Sequence, residues 1–267
     1  MTATSHARRD DSDGIITVTF TRDDKRNAVS LEMFDVLQAA VLDLADDDRH
    51  RVLVVTAEGR YFTGGLDMAD LVGPLGEGTE GVVRGSNIRR EYRMRAHHDL
   101  FDEMEQVEKP IVLAAQGPCF GVGVEFGVSC DFRLASDATT FALPEVAKLG
   151  VLPGSGGISR LTRIVGPHWA RWLTMAGQVV DADQALTIGL VHAVYPASEF
   201  AERVQAFARH LAGLPREAVG LAKVAIDAAA SIDRRTAREF DRLAQSALYS
   251  SSGFTERVDA FLAKKEG

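Results

Sequence analysis

The chain has 267 residues, enough for one large domain or two small ones with a substantial core. Apolar residues at 46% and charged residues at 25% are the proportions of an ordinary soluble globular protein. Thirty basic against 38 acidic residues leave a net charge of −8, which argues against nucleic acid as the main partner. An anionic small molecule stays open, because a local basic cluster suffices for it. The two cysteines, Cys119 and Cys130, sit in one apolar stretch and resemble small buried side chains, which favours a reducing compartment over a disulfide framework. Met1 to Gly14 is polar and charged, without the apolar centre of a signal peptide. No run approaches the ~18 apolar residues of a membrane span. The expectation is a cytoplasmic protein without a membrane partner.

In chain order, Ile15 to Phe20 alternates as a strand, and Thr21 to Ala28 follows as a charged loop. Ser30 has the chemistry of an N-cap for a helix running to Asp46, with Met33, Phe34, Leu37, Ala40, Val41 and Leu44 at helical spacing. Val52 to Val55 forms the centre of a second, buried strand, followed by the glycine turn Glu58 to Asp67 and a helix from Asp67 to Val72. Gly73 to Gly85 lacks apolar periodicity and is expected to be a loop. A long helix from Ile88 to Val107 carries Arg89, Arg90, Arg93 and Arg95 in its first half, a basic cluster most often found on a solvated face. His97 and His98 are adjacent, unlike the i, i+4 pair of a helical metal site, so no metal is expected.

The chain is organised around Pro110 to Asp131. Ile111 to Ala115 is a short apolar run that suits a strand buried on both faces. Gln116 to Gly123 holds three glycines and a proline, a turn whose backbone can approach another molecule closely. Val124 to Cys130 then fits a short buried helix with Glu125 in its first turn. Free N–H groups at such a helix start favour negative charge on an oxygen. The plainer alternative is a strand–turn–helix whose Glu complements the helix dipole. Gly121-Val-Gly-Val-Glu-Phe-Gly127 is one residue longer than the dinucleotide fingerprint, and no Gly-Lys-Ser/Thr follows a glycine loop.

Further on, Phe132 to Ala135 and Thr140 to Leu143 read as strands, and Pro144-Glu145 opens a helix. Pro153 to Gly157 is a sharp turn before helices at Ile158 to Val165 and Trp169 to Ala176. A short helix spans Asp181 to Gly189, a strand Leu190 to Tyr195, and four helical patterns occupy Phe200 to Ala212, Arg216 to Ala229, Arg234 to Tyr249 and Phe254 to Lys264. The residues alone therefore give an α/β body with a helical C-terminal quarter.

The chain resembles the enoyl-CoA hydratase/isomerase (crotonase) superfamily over almost its whole length. The residues carrying the resemblance are Lys25-Arg26-Asn27-Ala28, Phe62-Thr63-Gly64-Gly65-Leu66-Asp67, Gly121-Val122-Gly123-Val124-Glu125 with Cys130-Asp131, Pro144-Glu145 and Gly150 to Gly157. Gly189-Leu190-Val191 and Ala260 to Lys265 complete the set. The resemblance implies an α/β fold, a crotonase-like spiral of ββα units over 1–197. A C-terminal helical region over 198–267 would serve oligomerisation and complete the CoA site. It also implies a homo-oligomer, a trimer or a dimer of trimers.

The resemblance further implies a CoA thioester carbonyl held by two backbone N–H groups, which by position are those of Gly64 and Val122. Family members usually have glycine at the Val122 position and more often alanine at the Gly64 position. Fixed donors aimed at a developing enolate are the main electrostatic lever, each worth roughly 3–4 kcal/mol in other oxyanion holes. Glu125 and Glu145, 20 residues apart, fall where hydratases carry their catalytic pair. Two carboxyls sharing one water supply both a base and an acid, since neighbouring like charges keep one proton on the pair. The implied roles are Glu125 as base for the water and Glu145 as proton donor to the α-carbon, with the Gly154 N–H placing the water. Gly65, Leu66, Asp67, Gly121 and Pro144 would frame the substrate, Lys25, Arg26 and Ala28 would meet the CoA adenine and phosphates, and Lys264 would reach the neighbouring subunit's CoA. No separate cofactor is implied, because CoA arrives on the substrate. The expected activity is hydration of a trans-2-enoyl-CoA. Δ3-Δ2 isomerisation or another crotonase-type chemistry is the alternative, and a silent acyl-CoA-binding protein stands further off.

Overall fold

The computed structural model describes residues 5–69 and 95–263. It opens with a hairpin. Ala7–Ser12 (β1) pairs antiparallel with Ile15–Phe20 (β2) across Asp13 and Gly14, both at positive φ (53° and 77°). An Asp-Gly pair in that region is the two-residue turn that matches strand twist. β1 lies in the stretch expected to be merely polar. It is an edge strand, and its Arg8 and Arg9 pair with Asp10, Asp11, Asp43 and Glu58. Charge on an edge strand keeps it from pairing with another chain.

Ser30 caps the helix Leu31–Asp46 (α1), accepting from the Met33 N–H, and the six apolar positions expected to face inward are all buried. The chain returns as Val52–Ala57 (β3), parallel to β2. The helix Arg95–Gln106 (α2) leads into Ile111–Ala115 (β4), which is buried at every position. The expected loop at 73–85, the first part of the helix expected from Ile88, and Lys264 lie outside the described residues.

Cys119–Phe120 (β5) is a two-residue strand hidden inside the glycine turn, followed by the helix Val122–Gly127 (α3). Then come Phe132–Ser136 (β6), Thr140–Ala142 (β7) and the short helix Glu145–Leu149 (α4). Gly157–Thr174 (α5) is continuous except at Gly166, whose φ of 72° and ψ of 165° break it before Pro167. The two helices expected there are both present, divided at this break. Val180–Asp181 (β8), Ala182–Thr187 (α6) capped by the Asp181 carboxylate, Ala193–Tyr195 (β9) and Phe200–Ala212 (α7) follow.

The main sheet has the order β1-β2-β3-β4-β6-β9, parallel except for the first pair. α1 packs against β1, β2 and β3, while α7 packs against β2, β3 and β6. Cover on both faces explains why β3 and β4 are nearly continuous apolar runs. A smaller sheet, β5-β7-β8, stands apart from the main one and positions the site.

The chain divides into two compact units, Met1–Ala212 and Gly213–Gly267. The first takes in α7, so its limit lies past the helix that begins just after 197. The second is helical: Arg216–Ala229 (α8), Arg234–Tyr249 (α9) and Ser252–Ala263 (α10), with α8 packed on α9 and α9 on α10. Asp233 caps α9 by accepting from the N–H groups of Arg235 and Thr236. Among the described residues no helix is long and apolar enough to cross a membrane.

Candidate active site

Three extended segments run side by side. Thr63 bridges in parallel to Cys119: its N–H donates to Pro118 O (3.1 Å), and its carbonyl accepts from the Phe120 N–H (3.1 Å). On the other side β5 pairs in parallel with β7, and the Gly121 N–H extends that ladder to Ala142 O (2.9 Å). Each segment ends at the same edge, and there each turns: at Gly65, at Gly121 and at Pro144. The carboxyl ends of parallel strands are where an α/β fold leaves its backbone free for a ligand.

At that edge the turns touch. A Cβ on Gly121 would lie 3.6 Å from the Gly65 Cα and 2.7 Å from the Glu145 Oε1. With φ at 57° as well, Gly121 must be glycine. The donor expected at Gly64 is not free: its N–H donates to Arg26 O (2.8 Å). The Gly65 N–H is also taken, by the Thr63 Oγ1 (3.1 Å). Leu66 faces the other way, because the bridge between Val29 and Leu66 uses the Gly65 carbonyl and the Asp67 N–H instead. Among the described residues the N–H groups of Leu66 and Val122 have no acceptor, and each directly follows one of the touching glycines. The free amide of the first turn is thus two residues later than the resemblance suggested.

That turn is held from behind. Asn27, fully buried, accepts from the Arg22 N–H (2.7 Å) and donates to the carbonyls of Glu58 (2.8 Å) and Tyr61 (2.7 Å). The Asp67 carboxylate pairs with the Arg22 guanidinium and caps the Ala69 N–H, which holds it below the usual carboxylate range. Asp67 is thereby engaged within the protein. Lys25 and Arg26 are exposed and Ala28 is half-buried on the same loop, with the Arg26 guanidinium 5.6 Å from the Tyr61 ring centre. Val122 is 6% exposed and belongs to the buried apolar cluster, so its side chain packs inward beside its free amide.

Both acids are in first turns, Glu125 in α3 and Glu145 in α4, on helices launched from the paired strands β5 and β7. Glu125 is 6% exposed, and its Oε2 accepts from the Ser155 N–H (2.8 Å). A Cβ on Gly157 would sit 2.7 Å from the Glu125 Cγ, so glycine at 157 lets the loop close over this side chain. Burial pushes the Glu125 carboxyl up to about 7, opposed by the Ser155 N–H and raised further by the neighbouring Glu145 charge. Burial also raises Glu145, whose Oε2 is buried without a hydrogen-bond partner. The loop donors to Glu125 are the N–H groups of Ser155 and Gly157, and Gly154, expected to place the water, is the exposed residue next to Ser155. Both cysteines are buried thiols outside any disulfide, and burial raises the Cys119 thiol far above its ordinary range. Among the described residues no three His, Cys, Asp or Glu are grouped as metal ligands.

A mixed sheet with glycine turns converging at its carboxyl edge is the architecture of the crotonase fold. The enoyl-CoA hydratase of Bacillus anthracis superposes with a TM-score of 0.86 at 26% identity, over 97% of this chain and 96% of that one. The family model for enoyl-CoA hydratase/isomerase matches residues 10–267, and the chain belongs to that family. Its sequence is 29% identical to 4-chlorobenzoyl coenzyme A dehalogenase-2 of an Arthrobacter species, over 97% of this chain and 91% of the relative. It is also 29% identical to the short-chain-enoyl-CoA hydratase of Clostridium acetobutylicum, over 94% and 92%. The chain is a crotonase-type enzyme.

Proposed function

We propose that the protein hydrates a trans-2-enoyl-CoA thioester. The observation that carries this is the convergence, at Gly65 and Gly121, of two unpaired amides with two carboxyls of raised proton affinity, buried Glu125 and half-buried Glu145. The thioester oxygen accepts from the N–H groups of Leu66 and Val122. Ionised Glu125 takes a proton from water, and the oxygen adds to C3. The electrons of the double bond move to the thioester oxygen as an enolate, and protonated Glu145 delivers its proton to C2. The product carries one water more than the substrate, and the proton on Glu125 returns to Glu145 through solvent or between the neighbouring acids.

The Ser155 N–H supports Glu125 as the base, since a donor to a carboxylate favours its ionised form. Glu145, with a bare buried oxygen, suits the proton donor. Lys25, Arg26 and Ala28 would meet the CoA adenine and phosphates, with Gly65, Gly121 and Pro144 framing the thioester. CoA enters as part of the substrate and no further cofactor is needed. Exposed Leu149, Val151, Leu152, Trp172, Met175 and Val179 on the first unit support assembly into a homo-oligomer.

Product mass tests the reaction. Incubation with crotonyl-CoA is expected to give a species heavier by one water. A 3-enoyl-CoA converted to its 2-isomer without hydration, while crotonyl-CoA stays unchanged, would replace hydration by isomerisation.

A further inference from the structure

Behind Glu125 lies a side chain that touches no part of the proposed substrate path. Arg160, on the first turns of α5, is 6% exposed. Its Nη1 donates to the Ser155 carbonyl (2.6 Å), while its Nη2 pairs with Asp102 and Glu105 (2.7 Å) on α2. We propose that Arg160 is a positioning residue that clamps the 153–157 loop and thereby sets the orientation and charge of Glu125. This deepens the hydratase reading, since it assigns a support to that reading's base.

The connection is short at every step. The Ser155 carbonyl is held by Arg160 and the Ser155 N–H holds Glu125, so the two peptide groups flanking one residue are fixed from opposite sides. The next residue, Gly156, has a φ of 78°, and a Cβ there would lie 2.2 Å from the Arg160 Nη1. The loop therefore lies directly on the guanidinium. The buried Arg160 Nε is left without a hydrogen-bond partner, so the fork is turned to serve the loop and α2 rather than its own count of bonds. The charges around Glu125 are Glu145 on α4 and Arg160 on α5, and Arg160 in turn faces Asp102, Glu105 and His98 on α2. The Arg160 charge favours ionised Glu125, whereas Asp102 and Glu105 partly cancel it.

The test reads Glu125 without turnover. Carboxyl carbon shifts of 13C-glutamate-labelled protein, with the Glu125 signal assigned by E125Q, give its titration midpoint. Arg160→Met is expected to raise that midpoint by roughly one pH unit, and R160K to bring it back near the parent value. In the same variants kcat should fall more than KM changes, with R160K restoring only part, because an ammonium lacks the two-pronged grip. Should Arg160→Met fail to unfold cooperatively, Asp102→Asn with Glu105→Gln removes two negative charges, one exposed and one half-buried, and should lower the midpoint. A midpoint unmoved in a folded R160M, or in the double variant where R160M does not fold, overturns the clamp. An inactive parent with a shifted midpoint would sink the hydratase reading alone, and an active parent with an unmoved midpoint would sink the clamp alone.

Discussion

At the scale of single residues, Glu125 stores an opposition between stability and function. Its folded-state value of about 7 lies above the ordinary 4.5, so the folded protein binds this proton more tightly than the unfolded chain does. That contribution is fully present below about pH 4.5, shrinks as pH rises towards 7, and is gone above it, a loss of about 3 kcal/mol. Thermal unfolding measured from pH 5 to 8 should show E125Q gaining on the parent as pH rises, whereas parallel curves would mean that Glu125 titrates normally. The residue scale also shows where sequence alone falls short. The first-turn placement of Glu125 and Glu145 was legible, because a glycine turn before one and Pro144 before the other mark where each helix starts. The free amide was not. Gly64, Gly65 and Leu66 all sit in a permissive turn, and only the acceptors Arg26 O and Thr63 Oγ1 decide which N–H is left over. One of those acceptors, Arg26 O, comes from a loop far away in sequence.

At the scale of elements, the site depends on how closely α3 approaches the 62–65 segment. A Cβ on Gly123 would stand 2.2 Å from the Thr63 Cγ2 and 3.1 Å from the Cys119 Sγ. Thr63 in turn holds the Asn27 carbonyl and the Gly65 N–H. Gly123→Ala is therefore expected to cost roughly 1–3 kcal/mol in denaturant unfolding and to lower kcat/KM through the displaced turn. Unchanged stability and activity would show that the two turns are not in contact. Long elements were legible: α1, α7, α8 and α9 follow their helical pattern to within a residue. The short ones were not. β5 and β8 have two residues each, too few for any periodicity, and they exist because a neighbouring strand supplies their ladder. β1 was hidden by its charges, although Asp13-Gly14 marks the hairpin once the preceding run is allowed to be an edge.

At the scale of the whole molecule, one arrangement gives the fold its use. Segments 62–65, 119–121 and 140–142 are separated by long stretches of chain, yet they stop at one edge and bring two amides and two acids together there. The α/β character and the helical end could be read from pattern. The spiral came only through the resemblance, because the pairing of β5 with β7 and Thr63 is non-local and leaves no local signature. The most direct measurement is the loss of enoyl-thioester absorbance on mixing with crotonyl-CoA and with longer and branched 2-enoyl-CoAs. It should be run with the parent, E125Q and E145Q at the pH of highest parent rate. The parent is expected to consume at least one of these thioesters, and each variant to be slower by roughly 10²–10⁴-fold, the usual worth of a positioned acid or base. Parent-like rates in both variants would contradict the paired-acid site.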